Sequence, residues 1–140
     1  MAQAGPAPQI GMQLDHFNIA APLDLLETVR DFYVEVLGFE DGPRPDFSRP
    51  GYWLYAAGQA VIHLIEDTAR KPHSEPGFLD HIAFRSKDVS GMIERLESHG
   101  VAFRQSRVPG RNMAQLFFTD PAGTGLEINF PGEGEKPGSE

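Results

Sequence analysis

The chain has 140 residues, the length of one ordinary domain, and 40% of them are hydrophobic, which is enough for a core. Its formal net charge of −8 argues against a nucleic acid as partner, because nucleic acids attract basic surfaces. The absence of cysteine excludes disulfides, zinc–thiolate sites and thiol nucleophiles. No apolar run approaches the roughly 20 residues of a membrane span. We therefore expect a cytoplasmic protein that binds neither nucleic acid nor membrane.

The two ends of the chain differ in composition from the rest. Residues 1–11 have neither the charged start nor the apolar centre of a signal peptide, and we interpret them as a flexible leader. Residues 132–140 are rich in proline, glycine and charge, which predicts a flexible tail. A single folded domain is expected over residues 12–131.

One pattern occurs twice along this domain. "LDHFNIAAPLDLLETVRDFYVEVLG" begins at Leu14, and "LDHIAFRSKDVSGMIERLESHG" begins at Leu79. Each opens with Leu-Asp-His, continues as a short apolar strand and enters a helix that stops at glycine. The chain then forms two strand-like runs around a turn, "YWLYAAGQAVIHLIE" in the first half and "AQLFFTDPAGTGLEINF" in the second.

The first half predicts a strand at "DHFNIAA" and a helix over residues 22–37, with Gly38 as its stop. The proline-rich "FEDGPRPDFSRPG" is expected to be mostly loop with one edge strand. The second half predicts a strand at "DHIAFRS", a helix over residues 87–99 that ends at Gly100, and a strand at "VAFRQSRV". A loop at Pro109 and Gly110 then leads into the last hairpin.

These elements predict an α+β fold of two βαβββ modules, at about residues 12–67 and 78–131. Each module is too small to cover its own sheet alone. Side by side, the two would form a curved mixed sheet with helices outside and a concave pocket inside.

Strand alternation predicts which side chains face that pocket. The helices must cover the apolar positions, so four polar side chains are left on the concave face. They come from four strands at matched positions of the two halves: His16, His63, His81 and Glu127. Imidazoles and a carboxylate that converge in this way are typical of a divalent metal site. The alternative is a hydrogen-bonded polar cluster with a structural role only.

The motifs "LDHFNIAA", "RDFYVEVLGF", "VIHLIE", "LDHIAF" and "FFTDPAGTGLEINF" resemble those of the vicinal oxygen chelate superfamily, which contains glyoxalase I, ring-cleaving dioxygenases and bleomycin-binding proteins. The resemblance implies paired βαβββ modules around one divalent metal ion, which could be Zn, Ni, Mn, Co or Fe. It assigns His16, His81 and Glu127 as ligands. His63 stands where glyoxalases often have Glu or Gln. Members of this length commonly form homodimers with metal sites at the interface, and we expect the same here.

The resemblance also implies an enzyme that chelates a small substrate through neighbouring oxygens, with a lyase or isomerase as the first expectation. His63 would be a fourth ligand or a general base, since its ordinary pKa suits proton transfer. An iron(II) ring-cleaving dioxygenase, a fosfomycin-type thiol transferase and a non-catalytic small-molecule-binding protein remain alternatives.

Six further residues are candidates for contacts with the small-molecule substrate. Two aromatic side chains could line the pocket, and an amide side chain could hydrogen-bond a substrate oxygen. Three arginines, one on the His81 face and two in the loop, could also contact the substrate. The six residues are Trp53, Tyr55, Gln115, Arg85, Arg107 and Arg111.

Overall fold

The computed structural model describes residues 5, 11, 13–69, 78–108 and 110–134. The predicted leader, apart from Gly5 and Gly11, lies outside these residues, and so do residues 135–140 of the predicted tail and Pro109 of the predicted loop. Within the described part of the chain, no helix is long and apolar enough to cross a membrane.

Among the residues that the structure describes, eight strands and two α-helices form two similar halves. The first half contains β1 (Phe17–Ala21), α1 (Leu23–Asp31), β2 (Glu40–Gly42), β3 (Gly51–Ala56) and β4 (Gln59–Glu66). The second half contains β5 (Ile82–Arg85), α2 (Val89–Ser98), β6 (Arg104–Arg107), β7 (Met113–Thr119) and β8 (Gly125–Pro131).

The two halves have the same sheet topology. The strand order is β1-β4-β3-β2 in one sheet and β5-β8-β7-β6 in the other. In each sheet the first strand pairs in parallel with the last, and the other pairs are antiparallel. The predicted α+β fold of two βαβββ modules is therefore confirmed, with the strands divided between two curved four-stranded sheets.

The first helix differs from its predicted form. Residues 32–36 form a π-helical turn after α1, and the helical segment ends where Gly38 takes a positive φ of 76°. The N–H of Phe39 then donates to the carbonyl of Tyr33 at 2.9 Å, which closes the helix end. Apolar spacing does not distinguish the α from the π segment, because Val29, Tyr33 and Val36 are buried on one side in both.

The second helix begins at Val89, two residues later than predicted. The Asp88 carboxylate accepts a hydrogen bond from the N–H of Gly91 at 3.0 Å, so Asp88 is the N-cap. The carboxylate of Glu133 accepts from the N–H groups of Asp88 and Val89, each at 2.9 Å. Two acidic side chains therefore accept three of the backbone N–H groups at the start of the helix.

One hydrophobic core unites both halves, and each sheet contributes one face to it. The buried sheet residues alternate along the strands as predicted and pack with the helices. The core includes Leu26, Val29, Tyr33 and Leu96 from the helical segments, and Leu54, Ile62, Leu64, Leu116, Leu126, Ile128 and Phe130 from the strands. His63, Gln115 and Glu127 lie on the opposite faces of the two sheets.

A buried hydrogen bond ties the halves together. The Tyr33 hydroxyl donates to Asp120 Oδ2 at 2.7 Å, and Asp120 is only 4% exposed. Asp120 Oδ1 accepts from the N–H groups of Ala122 and Thr124, each at 2.9 Å, which shapes the β7–β8 turn. Burial, reinforced by the nearby Asp120 charge, raises the pKa of Tyr33, so its hydroxyl remains a donor.

We expect Tyr33→Phe to lower the free energy of unfolding by about 1–3 kcal/mol, because a buried carboxylate loses a hydrogen-bond donor. Tyr52→Phe is the matched control, since the Tyr52 hydroxyl has no hydrogen bond to the described residues and should cost under about 0.5 kcal/mol. Urea unfolding followed by circular dichroism measures both. Equal stability of the two variants would show that the Tyr33 hydrogen bond does not hold the halves together.

Candidate metal centre

The two histidines of the Leu-Asp-His repeats occupy matched places. His16 lies directly before β1 and His81 directly before β5. Parallel pairing places Asn18 beside His63 and Ala83 beside Glu127. Each histidine therefore lies at the start of an edge strand. On the adjacent strand, His16 is next to His63, and His81 is next to Glu127.

An aspartate fixes the orientation of each of these histidines. His16 Nδ1 hydrogen-bonds to Asp15 Oδ2, and His81 Nδ1 hydrogen-bonds to Asp80 Oδ2 at 2.9 Å. A carboxylate accepts, so the proton is on Nδ1 and the lone pair of the neutral ring is on Nε2. Metal-binding imidazoles in proteins usually donate their other N–H to a carboxylate in this way. The repeated Leu-Asp-His motif thus supplies a histidine together with an aspartate that orients it.

His81 and Glu127 form the more complete half of the candidate centre. His81 Nε2 lies 3.2 Å from Glu127 Oε1. Two neighbouring ligands, each about 2.1 Å from one cation, have donor atoms about 3.0–3.4 Å apart, so this pair fits a divalent ion. Gln115 Nε2 donates to Glu127 Oε2 at 3.4 Å and to Asn129 Oδ1 at 3.0 Å, which leaves Oε1 available.

His16 and His63 form the other half, and their rings are stacked. Their centroids are 3.7 Å apart and their planes differ by 12°, while the Trp53 ring stacks on His63 at 4.1 Å and 12°. An imidazole binds a metal in its own ring plane. Two nearly parallel planes do not meet near the rings, so His16 and His63 cannot share one cation in this conformation.

The nitrogen atoms of His63 have different environments. His63 Nε2 lies 3.1 Å from the carbonyl oxygen of Ala60, which can only accept, so Nε2 carries the proton and Nδ1 the lone pair. Burial lowers the pKa of His63, and the nearby His16 adds to the effect. His81 differs, since its hydrogen bond to Asp80 raises its pKa above the ordinary value despite its exposure.

The four predicted ligands therefore lie in two pairs, His16 with His63 and His81 with Glu127. Among residues 13–69, 78–108 and 110–134, no group of three or more His, Asp or Glu side chains comes together as a metal-binding cluster. The donor types of His81 and Glu127, their 3.2 Å spacing and the aspartate behind His81 fit a cation, whereas the stacked His16 and His63 do not fit one together.

The structure places the six predicted substrate contacts in different surroundings. Trp53 belongs to the stack with His63. Tyr55 packs against β2 and donates its hydroxyl to the carbonyl of Pro43. The Gln115 amide is used by Glu127 and Asn129. The three arginines are exposed at the ends of strands or in the loop before β7: Arg85, Arg107 and Arg111.

Two clefts lie beside the stacked rings. The larger has a volume of about 530 Å³ and is lined by Asp15, Trp53, Gln59 and His63 among others. The smaller, about 200 Å³, lies where Arg44 and Phe47 approach Trp53 and His63. His63 and Trp53 line both, so the stack forms a wall shared by the two clefts.

Sequence reasoning did not identify Asp15, Asp80, Arg44 or Phe47 as parts of the site. Asp15 and Asp80 could have been identified from the sequence, because each directly precedes the histidine of its own Leu-Asp-His repeat. Arg44 and Phe47 lie in a loop whose path the sequence does not fix, so no periodicity indicated their position.

Comparisons with known proteins agree with this architecture. Residues 13–128 match the sequence profile of the Glyoxalase/Bleomycin resistance protein/Dioxygenase superfamily. No curated protein sequence matches the chain.

Several solved structures are similar to this one. An integron cassette protein from the mobile metagenome of the Halifax Harbour sewage outfall is 30% identical, with a TM-score of 0.57 over 82% of this chain and 97% of that one. TnmS3, an antibiotic-binding protein from Streptomyces sp. CB03234, is 25% identical, with a TM-score of 0.64 and coverages of 89% and 99%. A glyoxalase family protein from Bacillus anthracis has a TM-score of 0.71 at 24% identity, with coverages of 89% and 99%.

In the metal-free protein we expect His81 to titrate above, and His63 below, the ordinary histidine pKa of about 6.5. Between the two values, His81 is protonated while His63 is neutral. NMR titration of the imidazole carbons measures both. Asp80→Asn should lower the pKa of His81 and leave that of His63 in place. The reverse order of the two titrations would contradict the assigned hydrogen bonds.

Proposed function

Because this chain belongs to the Glyoxalase/Bleomycin resistance protein/Dioxygenase superfamily, we propose that it is a divalent-metal-dependent enzyme, a lyase or isomerase acting on a small substrate bound through neighbouring oxygens. The observation that supports this best is the arrangement of Asp80, His81 and Glu127. Nδ1 of His81 hydrogen-bonds to Asp80, and Nε2 of His81 lies 3.2 Å from Oε1 of Glu127. Two lone pairs face each other there, which is favourable only with a proton or a cation between them.

We assign the metal ligands as His16, His81 and Glu127. The two histidines would use Nε2, since Asp15 and Asp80 occupy Nδ1 of each. The glutamate would use Oε1, since Gln115 binds the other oxygen. When bound, a divalent ion supplies a Lewis acid that polarises a substrate carbonyl and stabilises an enediolate or alkoxide. Zn, Ni, Mn, Co and Fe all accept this set of ligands.

His63 is assigned as the general base rather than as a fourth ligand. Its stacking on His16 keeps it out of the plane in which a cation on His16 would lie. Its pKa is lowered by burial, so the ring is neutral near pH 7, as a base must be. Nδ1 is the atom with the lone pair, because Nε2 donates to Ala60. A substrate in the adjoining cleft would give its proton to Nδ1.

We propose that two copies of the chain complete the site. Each copy carries a His16–His63 pair and a His81–Glu127 pair on separate sheets. Large apolar side chains beside both histidines are exposed, with Leu14 at 83% and Leu79 at 77%. A second copy placed over these residues would cover apolar surface and bring the unlike pairs together. The proposed state is a homodimer with a metal site at its interface.

An iron(II) ring-cleaving dioxygenase is the second candidate. With His63 in the stack, the ligand set reduces to two histidines and one carboxylate, the triad that leaves coordination positions open on non-haem iron. Oxygen uptake with iron(II) and a catechol panel distinguishes this activity from a lyase or isomerase. A non-catalytic binding protein, as the likeness to TnmS3 would suggest, predicts no metal dependence at all.

Protein purified without a chelator should contain about one divalent ion per site and should lose thermal stability when the ion is removed. His81→Ala and Glu127→Ala should abolish measurable binding, and Asp80→Asn should weaken it about 10- to 100-fold through loss of the orienting carboxylate. His99→Ala is the matched control, because His99 lies at the end of α2 and hydrogen-bonds to the carbonyl of Arg95. Elemental analysis and metal titration give the readout. Full metal content in the His81 and Glu127 variants would overturn the ligand assignment.

The shared site is tested by complementation. Chains with His16→Ala and chains with Glu127→Ala should each fail to bind metal alone. Mixed dimers isolated through two affinity tags should regain one intact site, and therefore half of the unaltered dimer's metal. A site formed within one chain would stay empty in every mixture. Light scattering on the unaltered protein should give the mass of two chains of 15.4 kDa.

A further inference from the structure

The smaller cleft beside the stack contains a cation, Arg44, that forms no ion pair with the residues the structure describes. Its lining includes Asn18, Arg44, Phe47, Trp53 and His63, and its volume is about 200 Å³. None of these residues is an assigned metal ligand. The cleft therefore has a chemistry of its own, which the metal centre does not explain.

The Arg44 guanidinium is held in place but not neutralised. Arg44 Nη2 donates to the carbonyl of Arg49 at 3.1 Å, and Arg44 Cζ lies 4.9 Å from the centre of the Phe47 ring. Within the described part of the chain Arg44 forms no ion pair. Its Nε is also the one buried side-chain nitrogen or oxygen there without a hydrogen-bond partner. A carboxylate bound to the terminal nitrogen atoms of the guanidinium would neutralise its charge.

The backbone beneath Arg44 is shaped to admit it. A Cβ added at Gly51 would lie 2.9 Å from Arg44 Nη2 and 3.1 Å from Arg44 Cζ, as well as 2.0 Å from the carbonyl oxygen of Leu64. Glycine at this position therefore lets the guanidinium lie close against β3. This confinement fixes the direction from which an anion can approach.

Aromatic rings form the rest of the wall. The Trp53 ring lies parallel to His63, and its centre is 6.3 Å from that of Phe47, which is 51% exposed. Flat π surfaces bind other planar groups by stacking, and guanidinium binds a planar carboxylate through two parallel hydrogen bonds. The cleft thus offers contacts to a planar ring and to a carboxylate at the same place.

We propose that this cleft binds the carboxylate end of a planar aromatic acid about the size of benzoate, with Arg44 as the anion-binding residue and Phe47 and Trp53 against the ring. The proposal rests on the proposed function in one respect: this acid is the class of substrate that the metal centre transforms. His63 and Trp53 line both clefts, so a ring held by Arg44 lies beside His63 and next to the larger cleft. Binding at Arg44 is itself independent of the metal.

The chain's single tryptophan makes the proposal directly measurable, because Trp53 lines the cleft and its emission responds to a ligand bound there, while the Arg44 variant assigns the response to this cleft. Chelator-treated protein is titrated with benzoate, with the neutral isostere benzamide and with the non-planar anion cyclohexanecarboxylate. We expect saturable quenching by benzoate with a dissociation constant on the order of 1 mM or tighter. Benzamide and cyclohexanecarboxylate should each bind at least about tenfold more weakly.

Arg44→Gln should weaken benzoate binding at least about tenfold, and Arg49→Gln is the matched control, since Arg49 contributes only its carbonyl to Arg44. No saturable response to benzoate, equal binding of either comparison ligand, or unchanged affinity in a folded Arg44→Gln protein would each overturn the proposal. If Arg44→Gln does not fold, the comparison of benzoate with benzamide and cyclohexanecarboxylate on the unaltered protein still tests the proposal.

Metal content is measured on the same preparation. Benzoate binding without metal contradicts only the enzymatic proposal, and metal without benzoate binding contradicts only this one.

Discussion

Each sheet can bury only one of its faces, and this constraint determines where the polar residues of the molecule lie. Ile62 and Leu64 are almost completely buried against the helices, so His63 between them must face the other way. Leu126 and Ile128 place Glu127 in the same manner. The core and the candidate site are thus two sides of the same strands, and a shift of one residue in register would exchange them.

The contact between the halves links two of the motifs that resemble the family. Tyr33 comes from "FYVEVLGF" and Asp120 from "DPAGTGLEI", and their hydrogen bond joins the π-helical turn to the β7–β8 turn. The same carboxylate accepts the N–H groups of Ala122 and Thr124, which shape the entry to β8. The strand that carries Glu127 is therefore positioned by a side chain from the other half.

Much of the fold was predictable from periodicity and repetition. The alternation in β4 and β8, the glycine ends of both helices and the duplicated order of elements follow from residue patterns alone. The π-helical turn did not, because Tyr33 and Val36 keep a helical spacing. Among site residues, the repeat identified His16, His63, His81 and Glu127. Strand alternation predicts which face of the sheet a side chain lies on, but not how the side chain is oriented there. The stacking of His63 between His16 and Trp53 depends on tertiary packing that sequence spacing does not encode. The same holds for Arg44 on its proline-rich loop, which forms no ion pair within the described ranges of the chain.

The two halves carry the same motif but offer different chemistry. One provides a histidine–carboxylate pair with an elevated imidazole pKa, and the other provides an imidazole with a lowered pKa among aromatic rings. The central claim is that two copies of the chain join these unlike halves around a divalent ion.

The most direct test is a crystal structure of the metal-loaded protein with anomalous scattering at the metal edge. We predict one anomalous peak within about 2.3 Å of His16 Nε2 from one chain and of His81 Nε2 and Glu127 Oε1 from the other. A peak bound elsewhere, or none in protein soaked with all five candidate metals in turn, would contradict the account.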